Sequence, residues 1–222
     1  MDKAAIFPHV DHTLLNPRAT WPEIEALCEE AIFYKMASVC IPPSYVKRVT
    51  EQYGEALTVC TVIGFPLGYS TTETKAAETR DAIQNGAREV DMVVNLGDVK
   101  NGDFHLVTEE IAALKQAAGA HILKVIVETC YLTEAEKIRL CQCLTEGGAN
   151  HIKTSTGFGT AGATPEDIAL FKAHIGPSVK MKASGGIRTA EDMEAYLTLG
   201  CDRLGTSSAV KILIGDASGS GY

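Results

Sequence analysis

Apolar residues recur along the chain with two periods. Short β-branched and aliphatic runs at 8–13, 37–41, 57–63, 89–95, 122–128, 151–155, 179–184 and 202–205 read as strands. Between them, apolar positions return every three or four residues. Ile24, Leu27, Cys28, Ala31 and Ile32 give the first such segment one face to bury against a sheet. Five segments open with a hydroxyl three residues before an acid, at Thr20/Glu23, Ser70/Glu73, Thr133/Glu136, Thr164/Asp167 and Thr189/Asp192. At that spacing the side chains satisfy the first free amides of a helix. Strand and helix thus alternate eight times, which predicts an α/β fold: a closed (β/α)8 TIM barrel in a single domain. An open doubly wound sheet is the alternative. It is disfavoured because the first strand–helix junction, DHTLLNPRAT, lacks the glycines of a dinucleotide-binding turn. The barrel is expected to occupy 1–215, and the polar, glycine-rich end at 216–222 to form a flexible tail.

Alternation within the strands predicts what fills the barrel. Lys124, Ile126 and Glu128 share one face of the fifth strand; His151, Lys153 and Ser155 share one of the sixth; Lys180, Lys182 and Ser184 share one of the seventh. In the fourth strand Asp91, Val93 and Asn95 face inward, and Val90, Met92 and Val94 face the helices. Lys124, Lys153 and Lys182 can therefore converge around Asp91. A buried ammonium without a partner is strongly unfavourable and tends to lose its proton. Two lysines at close quarters suggest that one stays charged and depresses the pKa of the other, which frees an amine to attack a carbonyl. Asp91 fits either a structural ion pair or an acid–base role. Lys124 fits a salt-bridge partner behind the site.

Chemistry in such a barrel collects at the C-terminal ends of the strands. SGGIRT supplies Gly185 and Gly186, and LGTSSA supplies Gly205, Ser207 and Ser208; STGFG adds Thr156 and Gly157. Small residues and backbone amides in two neighbouring loops suit an anion such as a phosphate, although in any one loop they also suit a tight turn. The 222 residues carry a net charge of −8 without a basic stripe, which argues against nucleic-acid binding. No apolar run approaches the roughly 18 residues of a membrane span, and the N-terminus lacks the core of a signal peptide. Seven cysteines without zinc-type pairs read as reduced thiols of a cytoplasmic protein, with Cys28 and Cys141 in the core. His9, Asp11 and His12 come closest to a ligand cluster, and no metal site is expected.

Through DHTLL, SVCIPP, VIGFPLG, EVDMVVN, LKVIVET, HIKTSTGFG, KASGGIRT and RLGTSSA the chain resembles the deoxyribose-phosphate aldolases, a family of class I aldolases. The resemblance implies reversible cleavage of 2-deoxy-D-ribose 5-phosphate to D-glyceraldehyde 3-phosphate and acetaldehyde, with no metal or organic cofactor. It makes Lys153 the imine-forming amine, Lys182 the second lysine that tunes it, and Asp91 the acid of a proton relay acting through a water. It puts Asp11 and Thr13 at the mouth of the pocket and Cys40 in its lining, and lets the terminal Tyr222 assist proton exchange at C2. Phe158 departs from the family pattern, which in some members has lysine there. Small phosphorylated sugars and aldehydes are the expected partners, with a homodimer as the expected assembly. A phosphosugar isomerase would want a carboxylate base near the end of strand six, where this chain has KTST; a non-catalytic phosphometabolite-binding barrel would not need Lys153, Lys182 and Asp91 together.

Overall fold

The computed structural model of the chain describes residues 3–215. Eight parallel strands close into a barrel in sequence order: β1 (Val10–Thr13), β2 (Ser38–Ile41), β3 (Val59–Ile63), β4 (Glu89–Val93), β5 (Ile122–Ile126), β6 (His151–Lys153), β7 (Lys180–Ser184) and β8 (Arg203–Thr206), with β8 pairing back onto β1. Helices α1 (Trp21–Phe33), α2 (Val46–Tyr53), α3 (Thr72–Gln84), α4 (Leu96–Asn101), α5 (Phe104–Ala118), α6 (Glu134–Glu146), α7 (Pro165–His174), α8 (Ala190–Leu199) and α9 (Ala209–Ile214) cover the outside. This is the (β/α)8 barrel, and the open-sheet alternative is excluded by closure. Among the described residues, no helix is long and apolar enough to cross a membrane.

The apolar core lies between sheet and helices. Val90, Met92 and Val94 point outward into it, as alternation predicts, together with Val125, Ile152, Ala183 and Leu204. Helices answer with Ile24, Leu27, Cys28 and Ala31 from α1, Val107, Ile111 and Leu114 from α5, and Phe171 from α7. Fully burying a large aliphatic or aromatic side chain of this kind contributes about 1.5–3 kcal/mol. Burial also pushes the thiols of Cys28 and Cys141 up to about 12, so both behave as inert core residues.

Four of the five expected helix starts are in place. Thr20/Glu23, Thr133/Glu136 and Thr189/Asp192 form reciprocal capping boxes, and the Thr164 hydroxyl accepts the Asp167 amide. In the remaining case the cap is Thr71, whose hydroxyl accepts the Thr74 amide, one residue beyond Ser70. Strand ends are shorter than alternation suggests. Residues 8 and 9 belong to a turn of 3-10 helix, and Asn95 folds back to cap α4 through the Gly97 amide instead of facing inward. β5 stops at Ile126 because Glu128 adopts a left-handed backbone, φ 53°.

Candidate active site

Parallel register sets the interior of the barrel. Asp91 pairs with Lys124, Lys153 with Lys182, and Lys182 with Arg203, all with side chains directed inward. Apolar layers commonly fill such a barrel; here a column of charge takes their place. Asp91 is fully buried and bonded on both oxygens: Oδ2 accepts from Lys153 Nζ and Lys182 Nζ at 2.8 Å each, and Oδ1 accepts from Lys124 Nζ at 2.9 Å. The three lysines therefore do converge on one carboxyl group.

Below them sits a second tier. Lys124 reaches Glu89 at 2.5 Å, and Arg203 holds Glu89 through two contacts of 3.1 Å. Asp11 bonds Lys182 at 2.5 Å, Arg203 at 2.7 Å and the Ser38 hydroxyl at 2.8 Å. Asp11 thus lies in the charged column instead of at the pocket mouth, because alternation on β1 turns it inward, and it is wholly buried. Thr13, two residues on, does line the cavity, with its hydroxyl on the Asp11 carbonyl at 2.8 Å.

Charge states follow from these contacts. Burial alone would raise the Asp91 carboxyl, but Lys124, Lys153 and Lys182 outweigh it and hold the group well below the usual range. Asp11 behaves alike under Lys124, Lys182 and Arg203. Burial would lower Lys182 and Lys124, yet Asp11 and Asp91 hold both ammonium groups above their ordinary value. Arg203 is likewise raised, by Asp11 and Glu89 against burial.

A cavity of about 730 Å³ opens above this column. Lys153 lines it, whereas Asp91 and Lys182 are fully buried and do not, so Lys153 is the lysine of the cluster that faces the cavity. Thr156, Gly157, Gly185, Gly186, Gly205, Ser207 and Ser208 all contribute to the wall. The loop after β6 is docked on the loop after β7: the Ala163 amide donates to the Ser184 and Gly185 carbonyls, and a Cβ on Gly162 would stand 2.2 Å from the Gly185 oxygen. Gly185 and Gly186 have φ of 77° and 73°, a conformation that side chains other than glycine rarely adopt. Three donors in these loops are already engaged. Both the Thr156 amide and hydroxyl donate to Glu128, and the Ser208 amide donates to the Thr206 hydroxyl.

Cys40 does not line the cavity. β2 points it into the barrel interior, where it is fully buried and packs with Cys60 and Val62 beneath Leu15 and Phe65. Its register partner Cys60 donates to Asp91 Oδ1 at 3.2 Å and receives Lys124 at 3.3 Å. The hydrogen bond with Cys60 lowers the Cys40 thiol against the effect of burial, while burial raises Cys60 well above its usual value. Histidines near the N-terminus are dispersed: His9 bonds the Asp202 carbonyl and His12 bonds Glu30, so neither joins Asp11 in a ligand cluster. Tyr222 and the tail 216–222 lie outside the described residues. Arg18 and Arg188, which residue patterning does not single out, supply cationic side chains at the rim. Arg188 stands inside the KASGGIRT motif, and Arg18 follows DHTLL in the first strand–helix junction.

Comparison with known proteins bears on this geometry. The pattern of the DeoC/LacD family aldolases matches residues 5–210. The chain is 59% identical over 222 residues to the deoxyribose-phosphate aldolase of Clostridium botulinum (strain Alaska E43 / Type E3), covering 100% of both chains. It is 55% identical over 218 residues to that of Streptococcus pyogenes serotype M28, covering 98% of each. Among solved structures, the tetrameric deoxyribose phosphate aldolase of Aeropyrum pernix superposes with a TM-score of 0.89 at 31% identity, over 97% of this chain and 92% of that one.

Proposed function

The chain belongs to the DeoC/LacD family of aldolases, and we propose that it cleaves 2-deoxy-D-ribose 5-phosphate reversibly to D-glyceraldehyde 3-phosphate and acetaldehyde through an imine on Lys153. The observation that carries this reading is the shared carboxyl group: Asp91 Oδ2 lies 2.8 Å from both Lys153 and Lys182, directly beneath a cavity that Lys153 enters.

Lys124, Lys182 and Arg203 match Asp11, Glu89 and Asp91 one for one, which leaves Lys153 as the amine the cluster does not need as a cation. That amine adds to the substrate aldehyde, and loss of water gives the cationic imine. Asp91, 2.8 Å from the same nitrogen, favours the new positive charge. As the C2–C3 bond breaks, its electron pair moves into the imine to give an enamine. The C3 hydroxyl proton leaves through a water to Asp91, and the triose phosphate departs. Protonation at C2 and hydrolysis then release acetaldehyde and the free amine. Lys182 keeps the relay charged, and Lys124 with Asp11 fixes it in place.

The phosphate is held by Gly185, Gly186, Gly205, Ser207 and Ser208 with Arg188 at the rim, and Gly157 and Thr13 border the sugar. We assign the catalytic barrel to 1–215 and give Tyr222, outside the described residues, the role of assisting proton exchange at C2. We place the enzyme in the cytoplasm as a homodimer. The isomerase reading loses its support because Glu128, the carboxyl group bonded to the loop after β6, is committed to Thr156, and Asp91 is held by three lysines. Replacing Lys153 by Ala tests the proposal. Turnover is expected to vanish while sugar phosphate still binds; undiminished turnover would overturn the imine.

A further inference from the structure

Glu128, two residues beyond the end of β5, combines three features that a simple strand-to-loop exit does not require. Its backbone is left-handed at φ 53°, one of only two such non-glycine residues among those described. Outside Gly, Asn and Asp this conformation is costly and persists where the surroundings enforce it. Its side chain is buried, at 3% exposure. And both carboxyl oxygens turn to Thr156: its amide donates to Oε1 and Oε2 at 3.2 Å each and its hydroxyl donates to Oε2, with the Cys130 thiol on Oε1 at 3.9 Å.

The contact continues into the cavity wall. The Thr156 hydroxyl oxygen accepts the Phe158 amide at 3.0 Å, which closes a tight turn around Gly157 at φ 87°. Phe158 then stacks edge-on against Phe65 with ring centres 5.4 Å apart. A Cβ on Gly159 would stand 3.0 Å from the Glu128 carboxyl carbon, so the following residue also packs on this group. Lys153 is held by bonds that do not use the Glu128 carboxyl group: the Val127 amide donates to the Lys153 carbonyl at 3.0 Å and the Thr129 amide to the Thr154 carbonyl at 2.9 Å, while the Thr154 amide donates to the Lys182 carbonyl and the Thr154 hydroxyl to the Ser184 carbonyl.

We infer that Glu128 is a positioning residue for the turn 156–158, holding one wall of the substrate cavity in place without acting on the Lys153 amine. The left-handed backbone is what aims its carboxyl group back at Thr156. Because the Thr156 amide and hydroxyl are spent on Glu128, the turn contributes shape to the pocket and not hydrogen bonds from Thr156. This inference rests on the aldolase reading, since it assigns the turn to substrate and the lysine to imine formation.

The test uses E128G, which accepts the left-handed backbone without strain and removes the side chain with its carboxyl group, with E128Q, which keeps the side-chain length, and T156V beside it. KM and kcat are measured with 2-deoxyribose 5-phosphate, and borohydride trapping of acetaldehyde on Lys153 is followed by mass spectrometry. E128G is expected to raise KM about tenfold or more with kcat within about threefold, because a misplaced wall weakens binding more than chemistry. E128Q, with a single acceptor oxygen, falls between, and T156V adds nothing further when combined with E128G. Acetaldehyde trapping stays at the wild-type level throughout. An unchanged KM in E128G, or trapping that falls in step with turnover, would overturn the assignment. If the wild-type protein itself gave no trapped lysine, the imine would be wrong, while the KM comparison would still judge Glu128.

Discussion

Replacing Asp91 by Asn removes one negative charge from the centre of the barrel and leaves its shape nearly unchanged. The side-chain nitrogens of Lys153, Lys182 and Lys124 lie 2.8, 2.8 and 2.9 Å from its oxygens. With an effective dielectric constant of about 20, one pair at such a distance is worth about 6 kcal/mol before desolvation. Desolvation of buried ions offsets several kcal/mol per ion, and breaking a buried pair from one side costs about 3–5 kcal/mol net. D91N should therefore lose about 3–5 kcal/mol of unfolding free energy at pH 7. The pH dependence fixes the cause. A carboxyl group held well below 3.8 in the folded protein contributes stability that is present above its unfolded pKa and is lost as pH falls through the folded one. The gap between wild type and D91N should hold steady from pH 7 to about 5 and close progressively below about 4. Urea unfolding at a series of pH values measures it. A cost below about 1 kcal/mol, or a gap that does not narrow in acid, would refute the reasoning that the lysines hold Asp91 as an anion.

Other substitutions probe neighbouring parts of the account. G162A places a Cβ 2.2 Å from the Gly185 carbonyl oxygen; it should cost about 1–3 kcal/mol in thermal or urea unfolding and raise KM for the phosphorylated sugar more than it lowers kcat. T189A removes the hydroxyl that accepts the Asp192 amide at 3.0 Å, and denaturant titration should show a loss of about 1 kcal/mol. On the alkaline side, Lys182 is raised above 10.5, so its contribution is present below that pH and lost above it. Wild-type stability should fall above about pH 10.5, and part of that fall should disappear in K182M.

Alternation and register made the core of the site legible. Lys124, Lys153, Lys182 and Asp91 each occupy an inward strand position, and closure of eight parallel strands leaves such residues nowhere else to meet. Glycine and serine loops after β7 and β8 were legible for a similar reason, since their place follows from strand order. Other features depend on three-dimensional facts that carry no periodic mark. Asp11 reads as a pocket residue until Arg203, 192 positions away, is found to bond it. Cys40 reads as pocket lining until Cys60 and Leu15 are seen to enclose it. The left-handed backbone of Glu128 has no signature in a strand-like run, so β5 looked longer than it is. Arg18 and Arg188 were passed over because an exposed arginine in a loop shows no pattern of its own.

The most direct test of the account is borohydride reduction in the presence of 2-deoxyribose 5-phosphate, followed by peptide mass spectrometry across residues 149–172. A reduced adduct on Lys153, absent in K153A, is the predicted result. Full turnover with no labelled lysine, or a label on Lys182 in place of Lys153, would contradict it.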